Sequence, residues 1–305
     1  TWGVLSGGVE ISGTLTATAG NGMMVASGST VKISADQNAD ILFDTNDGTT
    51  SSTLTLDIDN DSTAKISTLD IDTLTIQSGD MALSLEELDA HDGTNDADVT
   101  VAGTNDITFT NTVATGDLTV VGNDTNFAVL NVDGNLSVTA TTNFIATGAV
   151  GVENDVTISA DDIDSQTGLT TDVGNITLTS TGNDVDLVGA TDADGTLTVT
   201  AADSFTQNAT ALNAENDITI TADDFQAGAT VTVQAGSLTA TVTNDSAVTG
   251  DILVQGGGIT ITQSGGANQG FSSNGGTNGM VADNDITITA QQATLDEVKT
   301  VAGNL

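Results

Sequence analysis

Carboxylates are the most abundant side chains in this sequence that could do chemistry. Its 305 residues include 42 Asp and Glu but only three basic residues, Lys32, Lys65 and Lys299, so the net charge is −39. The stretch Asp57-Ile-Asp-Asn-Asp61 places acids at the first, third and fifth positions of a calcium loop. An EF-hand is not predicted, because Ser62 replaces the required Gly and Thr68 stands where the bidentate Glu belongs.

Other acidic pairs recur in short polar segments, and calcium is the only candidate cofactor. If such segments stack as corners of a repeat, their carboxylates repel one another. Bound Ca²⁺ relieves that repulsion, and so do solvated side chains with raised pKa values. The sequence leaves both interpretations open. The candidate metal ligands are Asp57, Asp59, Asp61, Asp161, Asp162, Asp223 and Asp224.

Catalysis and several kinds of partner are not predicted. The chain has no Arg, no nucleophile elbow, and one histidine, His91, in the loop-like context Ala90-His-Asp-Gly93. We therefore expect no enzyme. Nucleic acids and anionic membranes require clustered Lys and Arg, which this sequence lacks. No apolar run approaches the ~18 residues that span a bilayer, so no membrane span is expected.

A repeat of about 21 residues predicts the fold. Asp155-Val-Thr-Ile-Ser-Ala160 returns in related form with its leading apolar residues Val156, Ile176, Leu197 and Ile218 at steps of 20, 21 and 21. Apolar and hydroxyl residues alternate, so Ile218 and Ile220 should point inward while Thr219 and Thr221 face solvent. Second inward anchors follow at Phe205 and Phe225. Proline, which cannot donate to a ladder, is absent. We predict an all-β chain, a single elongated parallel β-helix (β-solenoid) with coils of about 20–22 residues.

The repeat weakens in three segments. Residues 82–97 favour a helical or looped excursion, and the Gly-rich residues 255–279 a protruding loop. At the end, Leu295, Val298 and Val301 recur every three residues, which fits a short helix or a detached strand. We therefore divide the chain into a solenoid, 1–292, and a C-terminal tail, 293–305, which we interpret as an assembly segment.

The repeated D-[IV]-T-[IL]-[TS]-A segments resemble the β-helical exoproteins of the filamentous-haemagglutinin type. This resemblance implies a bacterial or archaeal surface protein. The chain starts at Thr1-Trp2-Gly3 without a leader, which we interpret as a mature N-terminus after signal-peptide removal. The expected location is therefore extracellular, at the cell surface.

The two ends suggest the function. Trp2, Val4 and Leu5 precede the first strand-like segment without a visible cap, and the tail offers Leu295, Val298 and Val301. An uncapped coil and a docking tail predict a head-to-tail homopolymer, a secreted filament or sheath. Two alternatives are the scaffold of a surface adhesin, with cell-surface glycans as partners, and a calcium-dependent surface-layer protein.

The outward Thr-x-Thr pairs support a separate hypothesis. Thr157/Ser159, Thr177/Thr179, Thr198/Thr200 and Thr219/Thr221 would stack into a hydroxyl array resembling the ice-binding faces of β-solenoid antifreeze proteins. The alternative is that Thr is simply a soluble strand former. Irregular spacing between the pairs, and the Asp residues that often flank them, favour this alternative.

Overall fold

A computed structural model gives the fold of this chain. It describes only the strands within residues 1–97 and, from Asp98 onward, all residues except 209, 266–268 and 274–277. Side chains are described for Ile76, Leu85, 98–109 and the described residues from 115 onward. The chain forms two compact units, Thr1–Glu153 and Asn154–Leu305. The described residues of both contain parallel strands and no helix, so the predicted all-β parallel β-solenoid is confirmed.

Unit 1 contains the strands β1 (Val9–Glu10), β2 (Leu15–Thr16), β3 (Thr30–Ser34), β4 (Ala39–Asp44), β5 (Thr53–Ile58), β6 (Thr63–Leu69), β7 (Thr73–Ser78), β8 (Leu83–Ala90), β9 (Asp98–Ala102), β10 (Ile107–Thr115), β11 (Leu118–Gly122), β12 (Thr125–Val132), β13 (Leu136–Ala140), β14 (Asn143–Ala146) and β15 (Val150–Val152). Odd-numbered strands from β1 to β13 form one parallel sheet, and even-numbered strands from β2 to β12 form another.

Unit 2 contains β16 (Val156–Ala160), β17 (Asp162–Ser165), β18 (Leu169–Thr171), β19 (Ile176–Ser180), β20 (Val185–Leu187), β21 (Thr191–Ala193), β22 (Leu197–Thr200), β23 (Ser204–Gln207), β24 (Leu212–Ala214), β25 (Ile218–Ala222), β26 (Asp224–Ala227), β27 (Val231–Val233), β28 (Leu238–Val242), β29 (Ser246–Val248), β30 (Ile252–Val254), β31 (Ile259–Gln263), β32 (Gly270–Ser273), β33 (Met280–Ala282), β34 (Ile286–Thr289), β35 (Gln292–Leu295) and β36 (Val298–Thr300).

Every coil of unit 2 has three short strands, and equivalent strands pair in parallel from coil to coil. We call the resulting sheets the first face (β16, β19, β22, β25, β28, β31, β34), the second face (β17, β20, β23, β26, β29, β32, β35) and the third face (β18, β21, β24, β27, β30, β33, β36). In unit 1 the latter two faces are partly merged. There β12 bends, pairing through Thr125–Phe127 with β14 and through Leu130–Val132 with β15.

The interior is built from the inward positions of each strand. Ile218 and Ile220 are fully buried and Thr219 and Thr221 are exposed, as the alternation predicts. Phenylalanines form stacks inside: the ring centroids of Phe205 and Phe225 lie 5.5 Å apart with 5° between the planes. Phe109 stacks on Phe127 at 4.8 Å in unit 1. Stacking of this kind adds about 0.5–1.5 kcal/mol to the burial of each pair.

Three irregular segments form strands rather than excursions. Leu83–Ala90 is the eight-residue β8, paired with β6 and β10, so the described part of 82–97 is not helical. Within 255–279, Ile259–Gln263 and Gly270–Ser273 are β31 and β32. In the predicted tail, Gln292–Leu295 and Val298–Thr300 are β35 and β36, paired with β32 and β33. Hydrogen bonding to the neighbouring coils determines these conformations. The spacing of apolar residues along the sequence carries no information about that pairing.

Candidate functional site

Acidic and amide side chains at the corner before the first face form a ladder of hydrogen bonds between coils. Oδ1 of Asp155 accepts hydrogen bonds from the backbone N–H and Nδ2 of Asn175, at 2.8 and 3.0 Å. Oδ1 of Asn175 accepts from N–H and Oγ1 of Thr196, at 2.8 and 2.9 Å. In later coils Asp217 accepts from Ser237 N–H and Asp285 from Asn304 N–H, both at 2.7 Å. Each oxygen therefore satisfies a backbone donor that the bend leaves unpaired.

Glycine precedes several members of this corner ladder for a steric reason. A Cβ at Gly195 would lie 2.5 Å from Oδ1 of Asn175, and one at Gly236 would lie 2.5 Å from Oδ1 of Asp217. Both distances are below van der Waals contact. At this corner, the backbone N–H of one coil can reach the side-chain oxygen of the preceding coil only where the residue before the donor is glycine.

A second ladder lies at the corner between the first and second faces. Oδ1 of Asp184 accepts from Ser204 N–H at 2.9 Å, Asp224 from Asp245 N–H at 3.0 Å, and Asp245 from Gly270 N–H at 2.9 Å. In unit 1, Asp124 binds N–H and Nδ2 of Asn143 in the same way, at 3.1 and 2.9 Å. Acidic residues at these corners therefore have a structural role that needs no ion.

Among the described residues of unit 2, four carboxylates lie together on two adjacent coils of the second face. Asp164 and Asp186 are in register, with Asp162 and Asp184 beside them at the strand starts. Burial, followed by the negative charge of Asp184, raises the pKa of Asp162 above 3.8, although the backbone N–H of Asp184 opposes the shift. Burial and then Asp184 also raise the pKa of Asp186, against a hydrogen bond with Thr206. Stacked acids therefore lie close together here, and their mutual charge adds to the effect of burial on these pKa values.

The structure places the candidate metal ligands in separate locations. Asp162 and Asp224 share a corner column but are three coils apart, and Oδ2 of Asp161 accepts a hydrogen bond from Asn183 Nδ2 at 3.0 Å. Asp57 lies in β5, where its backbone pairs with Lys32 and Gln77, while Asp59 and Asp61 lie outside the described residues. Within the described part of the chain, no three acidic or histidine side chains converge as a cation site. Calcium binding stays a prediction.

The outward side of the first face in unit 2 is an unbroken array of hydroxyl residues, which we call the threonine face. Two columns run through seven coils in strict register, and all fourteen side chains are at least partly exposed. They are Thr157, Thr177, Thr198, Thr219, Thr239, Thr260 and Thr287 in one column and Ser159, Thr179, Thr200, Thr221, Thr241, Thr262 and Thr289 in the other. The number of residues between equivalent threonines varies from coil to coil, and segments outside the first face accommodate this variation.

The last coil exposes positions that are buried in the coils before it. Leu295 is in register with Ser273, which is 0% exposed, yet Leu295 is 41% exposed. Ala293, in register with the buried Phe271, is also exposed. Val298 is half-buried and Val301 is 66% exposed. No described strand pairs with the outer edges of β34, β35 and β36. The other predicted assembly residues, Trp2, Val4 and Leu5, lie outside the described residues, as does His91.

A polar groove lies beside the threonine face near this coil. Its lining includes Ser237, Gly258, Thr260, Asn284, Asp285 and Thr287. Hydroxyl, amide and carboxylate groups line this groove.

The corner ladders are the structural feature that sequence reasoning missed. Their signal is visible in the sequence: Asp or Asn occupies the position before the first apolar residue of the repeat, and Gly often precedes it, as in Gly174-Asn175. In the sequence, Asp155, Asp217 and Asp285 stand out only as the first residues of repeated segments. Their hydrogen-bond partners lie about 20 residues away, so the pairing becomes visible only when coils stack.

Comparisons with known proteins add no identity: no protein-family model, no curated protein and no solved structure matches the chain. The described residues also contain no helix of the length and hydropathy needed to cross a membrane.

Proposed function

We propose that this protein is a secreted structural protein that assembles end to end into an extracellular filament or sheath. The observation that supports this most directly is the last coil, where Leu295 and Ala293 are exposed at positions that the preceding coils bury. An edge with unpaired strand groups is a template for another strand. A second copy that paired its first strands with these edges would extend the parallel sheets and cover the exposed apolar positions.

Such a contact joins two different surfaces of the same molecule, so it propagates instead of closing. Strand addition of this kind provides main-chain hydrogen bonds, while the exposed inward positions provide apolar contact. The net charge of −39 opposes association. Salt or Ca²⁺ is therefore expected to promote assembly by screening the repulsion. The extracellular location is part of the proposal and is supported by the resemblance to filamentous-haemagglutinin-type exoproteins.

A second candidate is the scaffold of a surface adhesin that binds cell-surface glycans. The groove formed by Ser237, Gly258, Thr260 and Asp285 favours it, since sugars are recognised by such hydrogen-bonding groups. In that case a continuation of the same chain, not a second copy, would cover the last coil. Binding of the isolated chain to a panel of immobilised glycans tests this candidate.

The assembly proposal is tested with Leu295→Asp. A charge at this exposed inward position should keep the protein monomeric in light scattering, while the unmodified chain forms filaments in negative-stain electron microscopy with calcium. Val173→Asp is the matched control, because Val173 is 64% exposed but lies on a side corner; it should still polymerise.

Three outcomes would contradict the proposed end-to-end assembly through the last coil. The unmodified chain could remain monomeric at high concentration with calcium, which would favour the adhesin. Both variants could polymerise equally, which would show that the last coil is not the contact. Ordered sheets that dissolve in chelator would favour a calcium-dependent surface layer.

A further inference from the structure

We infer that the threonine face binds an ordered layer of water and, through it, the surface of ice. The threonine face is the outward side of the first face, whereas the proposed assembly contact is the open end of the last coil, so ice binding does not depend on end-to-end assembly. It rests on register, on hydrogen bonding and on charge.

The register makes the threonine face a regular two-dimensional lattice. Parallel strands lie about 4.8 Å apart, and alternate residues of a strand lie about 6.6 Å apart. Thr219, for example, has Thr198 and Thr239 as its neighbours along the column and Thr221 beside it. The lattice continues through the 27-residue step from Thr260 to Thr287, because the additional residues lie in the other parts of the coil. The backbone ladders beneath it hold the lattice rigid.

The hydroxyl groups of this lattice are not used by the protein. Among the described residues, none of the fourteen makes a side-chain hydrogen bond. Corner hydroxyls behave differently: Thr181 donates to the carbonyl of Ala160 at 3.2 Å and Thr249 to that of Ala227 at 3.4 Å. A threonine hydroxyl has one donor and two acceptor sites. On the threonine face these sites must be satisfied by water.

The spacing determines how that water is arranged. Neighbouring hydroxyls at about 4.8 Å are too far apart to bond directly, whereas one water can bridge two of them. Repeating the bridge along both columns gives rows of water with the period of the solenoid. Thirteen of the fourteen side chains are Thr, whose methyl group offers no competing hydrogen bond, so the waters bond to one another.

Charge distinguishes the two columns of this face from the outward columns of the other two faces. None of its fourteen positions carries a charged residue, although the chain contains 42 acids. On the second face, the equivalent outward column holds Asp164 and Asp186, and the third face holds Asp192 and Lys299. A charged group would impose its own hydration shell and interrupt the rows. If Thr occurred here only as a strand former, it should be equally uniform on all three faces.

Thermal hysteresis of the full chain, measured with a single ice crystal, tests the inference. The unmodified protein should depress the freezing point and shape the crystal, and fluorescently labelled protein should coat its surface. Thr219→Lys, at the centre of the lattice, should weaken ice affinity by at least about tenfold, equivalent to ~1.4 kcal/mol. Thr232→Lys is the control, because Thr232 faces outward on the third face of the same unit; it should retain the activity.

Thr219→Val separates hydroxyl chemistry from shape, since it keeps the branched outline and removes the hydroxyl. Thermal melting by circular dichroism verifies that each variant is folded. Absence of hysteresis and of surface coating in the unmodified chain overturns the inference. Equal losses for Thr219→Lys and Thr232→Lys also overturn it, because the effect would then be one of charge alone.

Discussion

The first and third faces of unit 2 have the same interior and very different exteriors. Both bury alternate apolar residues: Ile218 and Ile220 on one, Val231 and Val233 on the other, are 0% exposed. On the outward side, the first face carries Thr, or Ser at position 159, in all seven coils. On the third face, the outward residue differs from each coil to the next. Its outward column is Thr170, Asp192, Asn213, Thr232, Leu253, Val281 and Lys299.

This difference shows that the coil constrains inward positions much more strongly than outward ones. A solenoid strand tolerates Asp, Leu or Lys on its outer side, as the third face shows. Folding alone therefore does not account for the uniform threonine face, which the inferred ice binding would explain. The same conclusion follows from unit 1, where Ala102 and Val121 pair in the corresponding outward column and the fold is unchanged.

The largest expected effect comes from comparing the two sides of one strand. Ile220→Ala should lower the free energy of unfolding by about 2–5 kcal/mol, because it removes packed methyl groups and leaves a cavity. Thr221→Ala, one residue away and exposed, should change it by no more than about 0.5 kcal/mol. Urea unfolding of both variants is the measurement. A comparable loss for Thr221→Ala would mean that the threonine face serves stability after all.

The corner ladder should contribute less than the interior. Asp217→Ala removes the oxygen that accepts the N–H of Ser237 at 2.7 Å, and the loss should be about 1 kcal/mol because water can replace it in part. Asp217→Asn keeps the acceptor, as Asn175 does in an earlier coil, and should be nearly neutral. If Asp217→Asn were as destabilising as Asp217→Ala, the charge rather than the hydrogen bond would be responsible.

One substitution inside the second face is expected to raise the free energy of unfolding. Ser246 is in register with Phe225 and Phe271, is 2% exposed, and its Oγ has no hydrogen-bond partner. Ser246→Ala should therefore stabilise the fold by about 1 kcal/mol, because an unsatisfied buried hydroxyl is removed. Thr241→Ala, outward on the first face, should give no gain in the same unfolding experiment. A loss of stability in Ser246→Ala would indicate that a buried water binds the hydroxyl.

The smallest expected effect concerns the carboxylates of the second face and depends on pH. Because the pKa of Asp186 is raised in the folded state, the folded protein binds a proton at a higher pH than the unfolded chain. Stability should therefore rise as the pH falls through that raised pKa towards 3.8, its ordinary value. Asp186→Asn should stabilise the protein at pH 7 by a few tenths of a kcal/mol, since the group is partly solvated.

That gain should vanish near pH 4, and comparing urea unfolding of both proteins at the two pH values checks it. Thr206→Val sharpens the test, because it removes the hydrogen bond that opposes the shift and should strengthen the pH dependence. A gain from Asp186→Asn that is the same at both pH values would mean that repulsion between carboxylates is not its cause.

Much of the architecture is predictable from the repeat. The period, the inward position of Phe205 and Phe225, and the outward position of Thr219 and Thr221 follow from the alternation and are confirmed. Segments with a broken repeat were predicted wrongly: Leu83–Ala90 and Ile259–Gln263 are strands. In those segments, pairing with the neighbouring coils outweighs local preference, since a strand already flanked on one side gains a full set of ladder hydrogen bonds.

The sequence by itself determined the coil, because burial with a period of two is a local property that the repeated strand segments display. It also determined the net charge, and with it the scarcity of the basic residues that nucleic acids and anionic membranes require. Only the tertiary structure decided which side chains meet between coils. It paired Asp155 with Asn175, separated Asp162 from Asp224, and aligned fourteen hydroxyls across irregular steps of sequence. Stacking brings together residues some 20 positions apart, and corners of variable length conceal that register from the sequence.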